Sequence, residues 1–172
     1  MKVVLVTGSG GLIGSEAVSF YLSKGFRVVG VDNNMREVFF GSRGSVMPII
    51  AKLKNSKNYT HEFVDIRDSR LVSETVKKHK PDVLIHCAAQ PSHDKAADIP
   101  LLDFDVNARG TLNLLESCRI HVPECCFIHV STNKVYGDRP NKLQLTESEK
   151  RYDFADKKYC LGIDENFSID QS

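Results

Sequence analysis

Residues 3–14 read VVLVTGSGGLIG, an apolar run that passes directly into a glycine-rich turn. The aliphatic run predicts a buried strand, and Ile13, Ala17 and Tyr21 recur at helical spacing after the turn. Glycines between a strand and a helix permit a tight turn and let backbone amides approach a phosphate group. The stretch therefore predicts the opening strand, turn and helix of a nucleotide-binding sheet.

Further apolar runs alternate with helical stretches along the chain, which is typical of βαβ units on a parallel sheet. Their near-continuous aliphatic character indicates that helices cover both faces of the sheet. Five strands are predicted, at residues 3–6, 26–31, 59–64, 83–86 and 125–130. We therefore expect an α/β fold with a Rossmann-type doubly wound parallel sheet, incomplete at its C-terminal side.

Local signals place the helices between these strands. Gly25 stands where a left-handed residue would end the first helix, and Asp68 stands where a side chain would cap the second, which Pro81 stops. Further helical stretches are predicted near residues 46–54 and 106–118.

The polarity and periodicity of the sequence change after Gly137. Residues 138–172 are mostly polar, with scattered apolar residues and no sustained period. A segment of that length without its own structure is uncommon in a compact domain. We expect a dinucleotide-binding domain at residues 1–137 and an irregular tail at residues 138–172.

Composition excludes several classes of function. The 172 residues carry 23 basic and 22 acidic side chains, a net charge of +1, which attracts neither nucleic acid nor an anionic membrane. The first apolar run is too short for a signal peptide or a membrane span. The 5 cysteines are odd in number and lack zinc-site spacing. We therefore expect a reduced, cytoplasmic protein without a metal.

An acidic residue follows the second predicted strand. Asp32 stands 18 residues after Gly14, placed to accept hydrogen bonds from both ribose hydroxyls of an adenosine. A carboxylate there repels a 2′-phosphate, and no arginine directly follows it, so NAD is favoured over NADP, although Arg36 is nearby. The alternatives are a glycine-rich turn without a ligand and a solvated acid at a strand end.

Four local motifs resemble the extended short-chain dehydrogenase/reductase family, in particular its NAD-dependent sugar-nucleotide epimerases and dehydratases. They are TGSGGLIG at 7–14, DIRD at 65–68, HCAAQ at 86–90 with VNARGTLNLLE at 106–116, and STNKVYGD at 131–138. The last motif, with PSHD at 91–94, is most similar to the CDP-paratose (CDP-tyvelose) 2-epimerase branch. The resemblance implies NAD as cofactor and a nucleotide-sugar, here a CDP-sugar, as substrate.

The same resemblance implies a set of cofactor-binding residues. Asp65 and Ile66 would flank the adenine, while Gln90 and His93 would face the sugar. Asn107 either shapes the site through local backbone bonds or is a tolerated polar residue in a helix. The complete set comprises Gly8, Gly10, Gly11, Leu12, Ile13, Gly14, Asp32, Asn33, Asp65, Ile66, Ala88, Ala89, Gln90, Asn107 and Ser131.

Thr132 receives a catalytic role from the resemblance, a hydrogen bond to the sugar hydroxyl or keto oxygen during hydride transfer. In the related 4,6-dehydratases this threonine is followed by Asp-Glu, whereas Asn133 and Lys134 follow it here. Asparagine cannot give or take a proton in that role. Dehydration is therefore disfavoured.

The central base of the family, the tyrosine of a Tyr-x-x-x-Lys pair, is missing from the sequence. The residues four positions after the tyrosines are Gly25, Phe63, Pro140, Asp156 and Ile163. Full members of the family continue through that helix into a sugar-nucleotide domain, so we expect an N-terminal half. Two functions stay open: the NAD-binding portion of a CDP-sugar 2-epimerase, inactive alone, or a non-catalytic NAD-binding module that forms a homodimer or pairs with a C-terminal half.

Overall fold

A five-stranded parallel sheet forms the centre of the protein. The structure, a computed structural model, describes residues 1–169 and, for His93 and Asn133, the backbone alone. The strand order is β3-β2-β1-β4-β5, and within the described residues β5 has a neighbouring strand on one side only. The strands are β1 (Val3–Thr7), β2 (Arg27–Val31), β3 (Tyr59–Glu62), β4 (Val83–His86) and β5 (Cys126–His129).

Helices make every connection between these parallel strands, as a doubly wound fold requires. A π-helical turn at Asp105–Arg109 leads directly into the last of them. The prediction of a Rossmann-type sheet, incomplete at its C-terminal side, is confirmed. The helices are α1 (Leu12–Ser23), α2 (Met35–Phe40), α3 (Met47–Leu53), α4 (Ser69–His79), α5 (His93–Asp98), α6 (Pro100–Phe104) and α7 (Gly110–His121).

Alternate side chains of β1 belong to two separate apolar clusters. Leu5 packs in one cluster with Val72 of α4 and Leu114 of α7. Val4 packs in the other with Val18 of α1. Both faces of β1 are therefore buried, which explains why its sequence is aliphatic throughout and does not alternate with polar residues.

Two helix ends agree with their sequence signals. Gly25 has a φ of 79°, and its amide donates to the carbonyl of Leu22 at 3.0 Å, as expected for a residue that ends a helix. Asp68 accepts a hydrogen bond from the amide of Leu71 at 3.0 Å and caps α4. Both predictions are confirmed. Each signal acts over only three or four residues, so it could be recognised in the sequence alone.

The division of the chain falls between Val130 and Ser131, where the structure separates two compact units. The sequence pattern predicted a change at Gly137 instead. The second unit contains an antiparallel hairpin, β6 (Leu145–Glu147) and β7 (Tyr152–Phe154). The region expected to be irregular therefore has secondary structure of its own.

An aromatic cluster accompanies this hairpin. Tyr159 contacts Phe154 and Phe167 edge to face, with ring centroids 5.8 and 5.7 Å apart. Phe167 also contacts Tyr136 at 5.7 Å, and the Tyr136 hydroxyl donates to the carbonyl of Asp164. Scattered aromatic residues without a period thus build a small local core.

Helix length and the clustering of side chains bear on membrane and metal binding in the described part of the chain. None of the helices in residues 1–169 has both the length and the apolar character needed to cross a membrane. The same residues contain no group of three His, Cys, Asp or Glu side chains that could hold a metal ion. All five cysteines are free thiols.

His86, the last residue of β4, is only 2% exposed and joins three elements. The Thr111 hydroxyl donates to the carbonyl of Asn107 at 2.6 Å, so it accepts the Nε2 proton of His86 at 2.9 Å. The imidazole Nδ1 then accepts from the Thr7 hydroxyl at 2.7 Å. That hydroxyl oxygen accepts the Ala88 amide at 3.2 Å. A neutral imidazole therefore ties the end of β1 to β4 and α7.

We expect His86 to make the protein less stable in mild acid. Burial, together with nearby His129, lowers the pKa of His86 from 6.5 to about 4. The unfolded chain therefore binds the proton more readily, and stability falls as the pH drops from about 6.5 towards about 4. The expected loss from this residue between pH 7 and pH 4 is about 3 kcal/mol, measured by urea unfolding.

The matched variant is His86→Gln, which has no proton to gain in this range. Other groups also titrate there, so the comparison is between the two pH slopes and not between the absolute stabilities. The variant should lose less stability over the same pH window by about the amount assigned to His86. Equal slopes in both proteins would contradict the assignment.

Candidate functional site

A cavity of about 310 Å³ opens at the carboxyl ends of the central strands. The chain runs from β1 outward to β3 and then returns to β4 on the other side of β1, so the strand order reverses there. Ligands of open α/β sheets bind in the crevice that such a reversal leaves. Of the predicted cofactor residues, those that line the cavity are Gly8, Gly11, Leu12, Ile13, Gly14, Asp32, Asn33, Asp65, Ile66, Ala88 and Ala89.

Two glycines of the loop are required by close backbone contacts. Gly8 has a φ of +64°, and a Cβ there would lie 2.8 Å from the amide nitrogen of Ala88. A Cβ at Gly14 would lie 2.1 Å from the carbonyl oxygen of Gly8. The start of α1 therefore packs directly on the loop, and the loop packs directly on the segment after β4.

Gly10 is required for a different reason from the one that the motif suggests. Its amide donates to Oδ2 of Asp32 at 3.0 Å and so is already engaged within the protein. A Cβ at Gly10 would lie 2.7 Å from the side chain of Val46. The missing side chain thus makes room for Val46, and Gly10 is not among the residues that line the cavity.

Asp32 joins the end of β2 to the glycine-rich loop. Its Oδ2 accepts the Gly10 amide, and its Oδ1 accepts the Asn34 amide at 2.8 Å. A carboxylate has about four lone-pair positions, so these two bonds leave it able to accept further hydrogen bonds. The side chain is held in place at the cavity and keeps the capacity to bind hydroxyl groups.

Asn34 holds the long connection between β2 and β3, a role that the sequence analysis missed. It has a left-handed φ of 57°, and its Oδ1 accepts the amide of Val46 at 2.8 Å and the hydroxyl of Ser45 at 3.3 Å. Asparagine tolerates this conformation better than most residues, which was the available sequence signal. Asn34 therefore brings Val46 over the glycine-rich loop.

Helix α2 forms one wall of the cavity and was also missed. It is only six residues long and has no buried residue, so it shows no apolar stripe from which to predict it. The Arg36 guanidinium lies 5.7 Å from the ring centroid of Phe40. The residues that α2 contributes to the cavity are Met35, Arg36, Phe39 and Phe40.

Asp65 lies at the cavity with its carboxylate held by a neighbour. The Arg67 guanidinium donates to both carboxylate oxygens, with the closest contact at 2.5 Å, and the Arg67 amide donates to Oδ1 at 2.9 Å. Burial alone would raise the pKa of Asp65, but these hydrogen bonds, with one from Asn33, outweigh it and lower that pKa. The carboxylate is therefore ionised and oriented at neutral pH.

Gln90 and Asn107 clamp the segment after β4 onto the π-helical turn. The Gln90 amide donates to Oδ1 of Asn107 at 2.9 Å, and Nδ2 of Asn107 donates to the Gln90 carbonyl at 3.1 Å. Oδ1 of Asp103 accepts from both side-chain amides, at 2.9 and 3.1 Å. Neither Gln90 nor Asn107 lines the cavity. Together they fix the backbone next to Ala88 and Ala89, which do.

Ser131 and Thr132 belong to the second compact unit, directly after β5. Oγ1 of Thr132 accepts the amide of Lys134 at 3.2 Å, which opens a short 3₁₀ turn. The side chains of His93, expected to face the sugar, and of Asn133, expected in place of a dehydratase acid, lie outside the described part of the structure.

The fold and the cavity define a Rossmann-type α/β protein. Residues 5–154 match the family described as GDP-mannose 4,6 dehydratase, and the chain belongs to that family of NAD-dependent epimerases and dehydratases. The resemblance drawn from the four motifs is thereby confirmed.

Three relatives are each similar to this chain over less than half of their own length. The CDP-paratose 2-epimerase of Salmonella typhi is 36% identical over 167 residues, 97% of this chain and 46% of that enzyme. The UDP-Glc/GlcNAc 4-epimerase of Campylobacter jejuni superposes with a TM-score of 0.69 at 26% identity, over 80% of this chain and 39% of that one. The UDP-glucose-4-epimerase of Stenotrophomonas maltophila was solved with bound NAD and formylated UDP-arabinopyranose. It superposes with a TM-score of 0.65 at 28% identity, over 80% of this chain and 39% of that one.

The Gly14→Ala variant should be strongly destabilised. The new methyl group would meet the Gly8 carbonyl, which is backbone and cannot rotate away, so we expect a loss of about 3 kcal/mol in unfolding free energy. The control is Gly25→Ala, where a Cβ meets nothing within 4 Å and only the positive φ costs about 1 kcal/mol. Urea unfolding that ranks the two variants equally would contradict the packing argument.

Proposed function

We propose that this chain is the NAD-binding portion of a nucleotide-sugar epimerase. The observation that carries the proposal is the cavity at the strand-order reversal, with the glycine-rich loop on one side and the Asp32 carboxylate on the other. A pyrophosphate would rest on the loop at the start of α1, and the adenosine ribose would bond Asp32. Asp65 and Ile66 would border the adenine.

The fixed carboxylate of Asp32 supports NAD over NADP. Two backbone amides hold it at the cavity, where it would accept hydrogen bonds from ribose hydroxyls and repel a 2′-phosphate. Arg36, the nearby cation, lies against the ring of Phe40. The relative from Stenotrophomonas maltophila was solved with NAD, which supports the same choice.

The chemistry would be a hydride transfer without net oxidation. A sugar carbon would give a hydride to bound NAD while its hydroxyl proton passed to a base, the tyrosine of the Tyr-x-x-x-Lys pair that the 172 residues lack. Both would then return, with the hydride entering the opposite face of the keto sugar. Thr132 would hydrogen-bond the reacting sugar oxygen. The Asn133 and Lys134 that follow it do not supply the acid and base of a dehydratase. The similarity to a CDP-paratose 2-epimerase supports a CDP-sugar as substrate.

Asp32→Ala should weaken NAD binding by about tenfold or more, because a charged acceptor and the partner of the Gly10 amide are both lost. Isothermal titration calorimetry measures the change. Asp98→Ala is the matched control, since Asp98 is exposed at the end of α5 and lies outside the cavity, and it should bind NAD like the wild type. An unchanged affinity in Asp32→Ala would remove the cofactor assignment.

The purified 172-residue chain should bind NAD but convert no CDP-sugar. It has no Tyr-x-x-x-Lys pair. In such a pair the lysine ammonium group helps the tyrosine phenol to ionise, and the phenolate acts as the base. Chromatography of the sugar products, with the Salmonella typhi epimerase as positive control, provides the measurement. Turnover by the chain alone would overturn the argument from the missing pair.

The second candidate is a non-catalytic NAD-binding module that acts through a partner chain, either a second copy or a C-terminal half. The edge strand favours it, since β5 has one neighbouring strand in the described residues, and Ile128 and Val130 are each 40% exposed. Unpaired strand edges bind further strands readily. Turnover restored by adding a C-terminal half would favour the epimerase over this alternative.

The five free thiols fit a reducing compartment such as the cytoplasm.

A further inference from the structure

A buried pair of hydroxyl groups joins the glycine-rich loop to β3. Ser9, which lies between two loop glycines, is fully buried, and Tyr59, the first residue of β3, is 7% exposed. The Tyr59 hydroxyl lies 3.3 Å from Oγ of Ser9. The two residues are 50 positions apart, and neither lines the cavity.

The contact crosses β2 through a gap left by Gly30. A Cβ at Gly30 would lie 2.1 Å from the Tyr59 hydroxyl and 2.6 Å from Oγ of Ser9. Any other residue at this position would therefore push the tyrosine away from the loop. The glycine in the middle of a buried strand, which otherwise weakens a strand, is explained by this contact.

His61 lies next to this pair of hydroxyl groups. The Tyr59 oxygen also lies 3.2 Å from Nδ1 of His61, whose Nε2 is buried without a hydrogen-bond partner in the described part of the chain. The Tyr59 hydroxyl donates to Oγ of Ser9.

The groups of this chain of hydrogen bonds are neutral at ordinary pH. Burial raises the pKa of Tyr59, and Asp32 adds to the increase, while its bond to Ser9 opposes it. Burial, with nearby Lys54, lowers the pKa of His61. Tyr59 therefore keeps the proton that it donates to Ser9 across the pH range in which the protein would be assayed.

Ser9 is the point at which β3 can act on the loop. The Gly8 amide bonds the Val31 carbonyl at 2.8 Å, and the Gly10 amide bonds Asp32, so both neighbours of Ser9 are tied to the end of β2. The Ser9 side chain adds an attachment from the strand beyond. We propose that Tyr59 is a positioning residue for dinucleotide binding, whose hydroxyl holds the glycine-rich loop through Ser9. This inference rests on the proposed NAD site.

The test is the Tyr59→Phe variant, which removes one oxygen and keeps the ring in the core. Calorimetry with NAD, well below the melting temperature of each protein, should show binding that is more than twofold and up to about fivefold weaker. The upper figure applies if the whole free energy of one ordinary buried hydrogen bond holds the loop in its binding geometry. A purely structural role would lower the melting temperature and leave the dissociation constant unchanged. Tyr21→Phe is the control, because Tyr21 packs in the same apolar cluster and lies outside the cavity.

Ser9→Ala and the double variant complete the test. If the hydroxyl acts through Ser9, then Ser9→Ala weakens NAD binding to a similar extent, and the double variant binds no more weakly than either single one. Fully additive effects, or a Tyr59→Phe affinity within twofold of the wild type, would overturn the proposal. Failure of the wild type to bind NAD would instead refute the proposed function, so the two failures are distinguishable.

Discussion

The carboxylate of Asp32 is the interaction on which the candidate site depends. It receives the amide of Gly10 from the loop and the amide of Asn34 from the next connection. Asn34 in turn receives the amide of Val46, whose side chain fills the space above Gly10. These contacts lead from the loop to the end of β2, on to the connection between β2 and β3, and back to the loop. Loss of one contact would leave a buried amide without its acceptor, which costs free energy, so the contacts stabilise one another cooperatively.

The architecture could be predicted from the sequence because its signals are local or strongly periodic. Short runs rich in apolar and β-branched residues predicted all five strands of the sheet. Gly25 and Asp68 marked helix ends through contacts that span three or four residues. The helices α2, α5 and α6 were not predicted, since each has six residues or fewer and cannot show a helical stripe. The hairpin of the second unit was missed because its strands have three residues each, too few to show an alternating pattern.

The candidate site was predictable where a motif names the residue and obscure where a distant partner decides its role. Three of the four loop glycines, Gly8, Gly11 and Gly14, line the cavity together with Asp32 and Asp65, whereas Gly10 does not. Gln90 was expected at the sugar, but its side-chain amide instead bonds Asp103, 13 residues away. Its role depends on which helix packs beside it, and no local pattern carries that information. The same holds for the Gly30 gap, which only the position of Tyr59 explains.

The π-helical turn at Asp105–Arg109 bears on how this segment can change during evolution. Such a turn is equivalent to one extra residue inserted into a helix. Because successive residues of a helix are rotated by about 100°, removing one residue here would swing Asn107 away from the backbone of Gln90. A change of length in this turn would therefore break the contact between Asn107 and Gln90. We expect insertions and deletions to be tolerated better in the surface connections of the chain than in this turn.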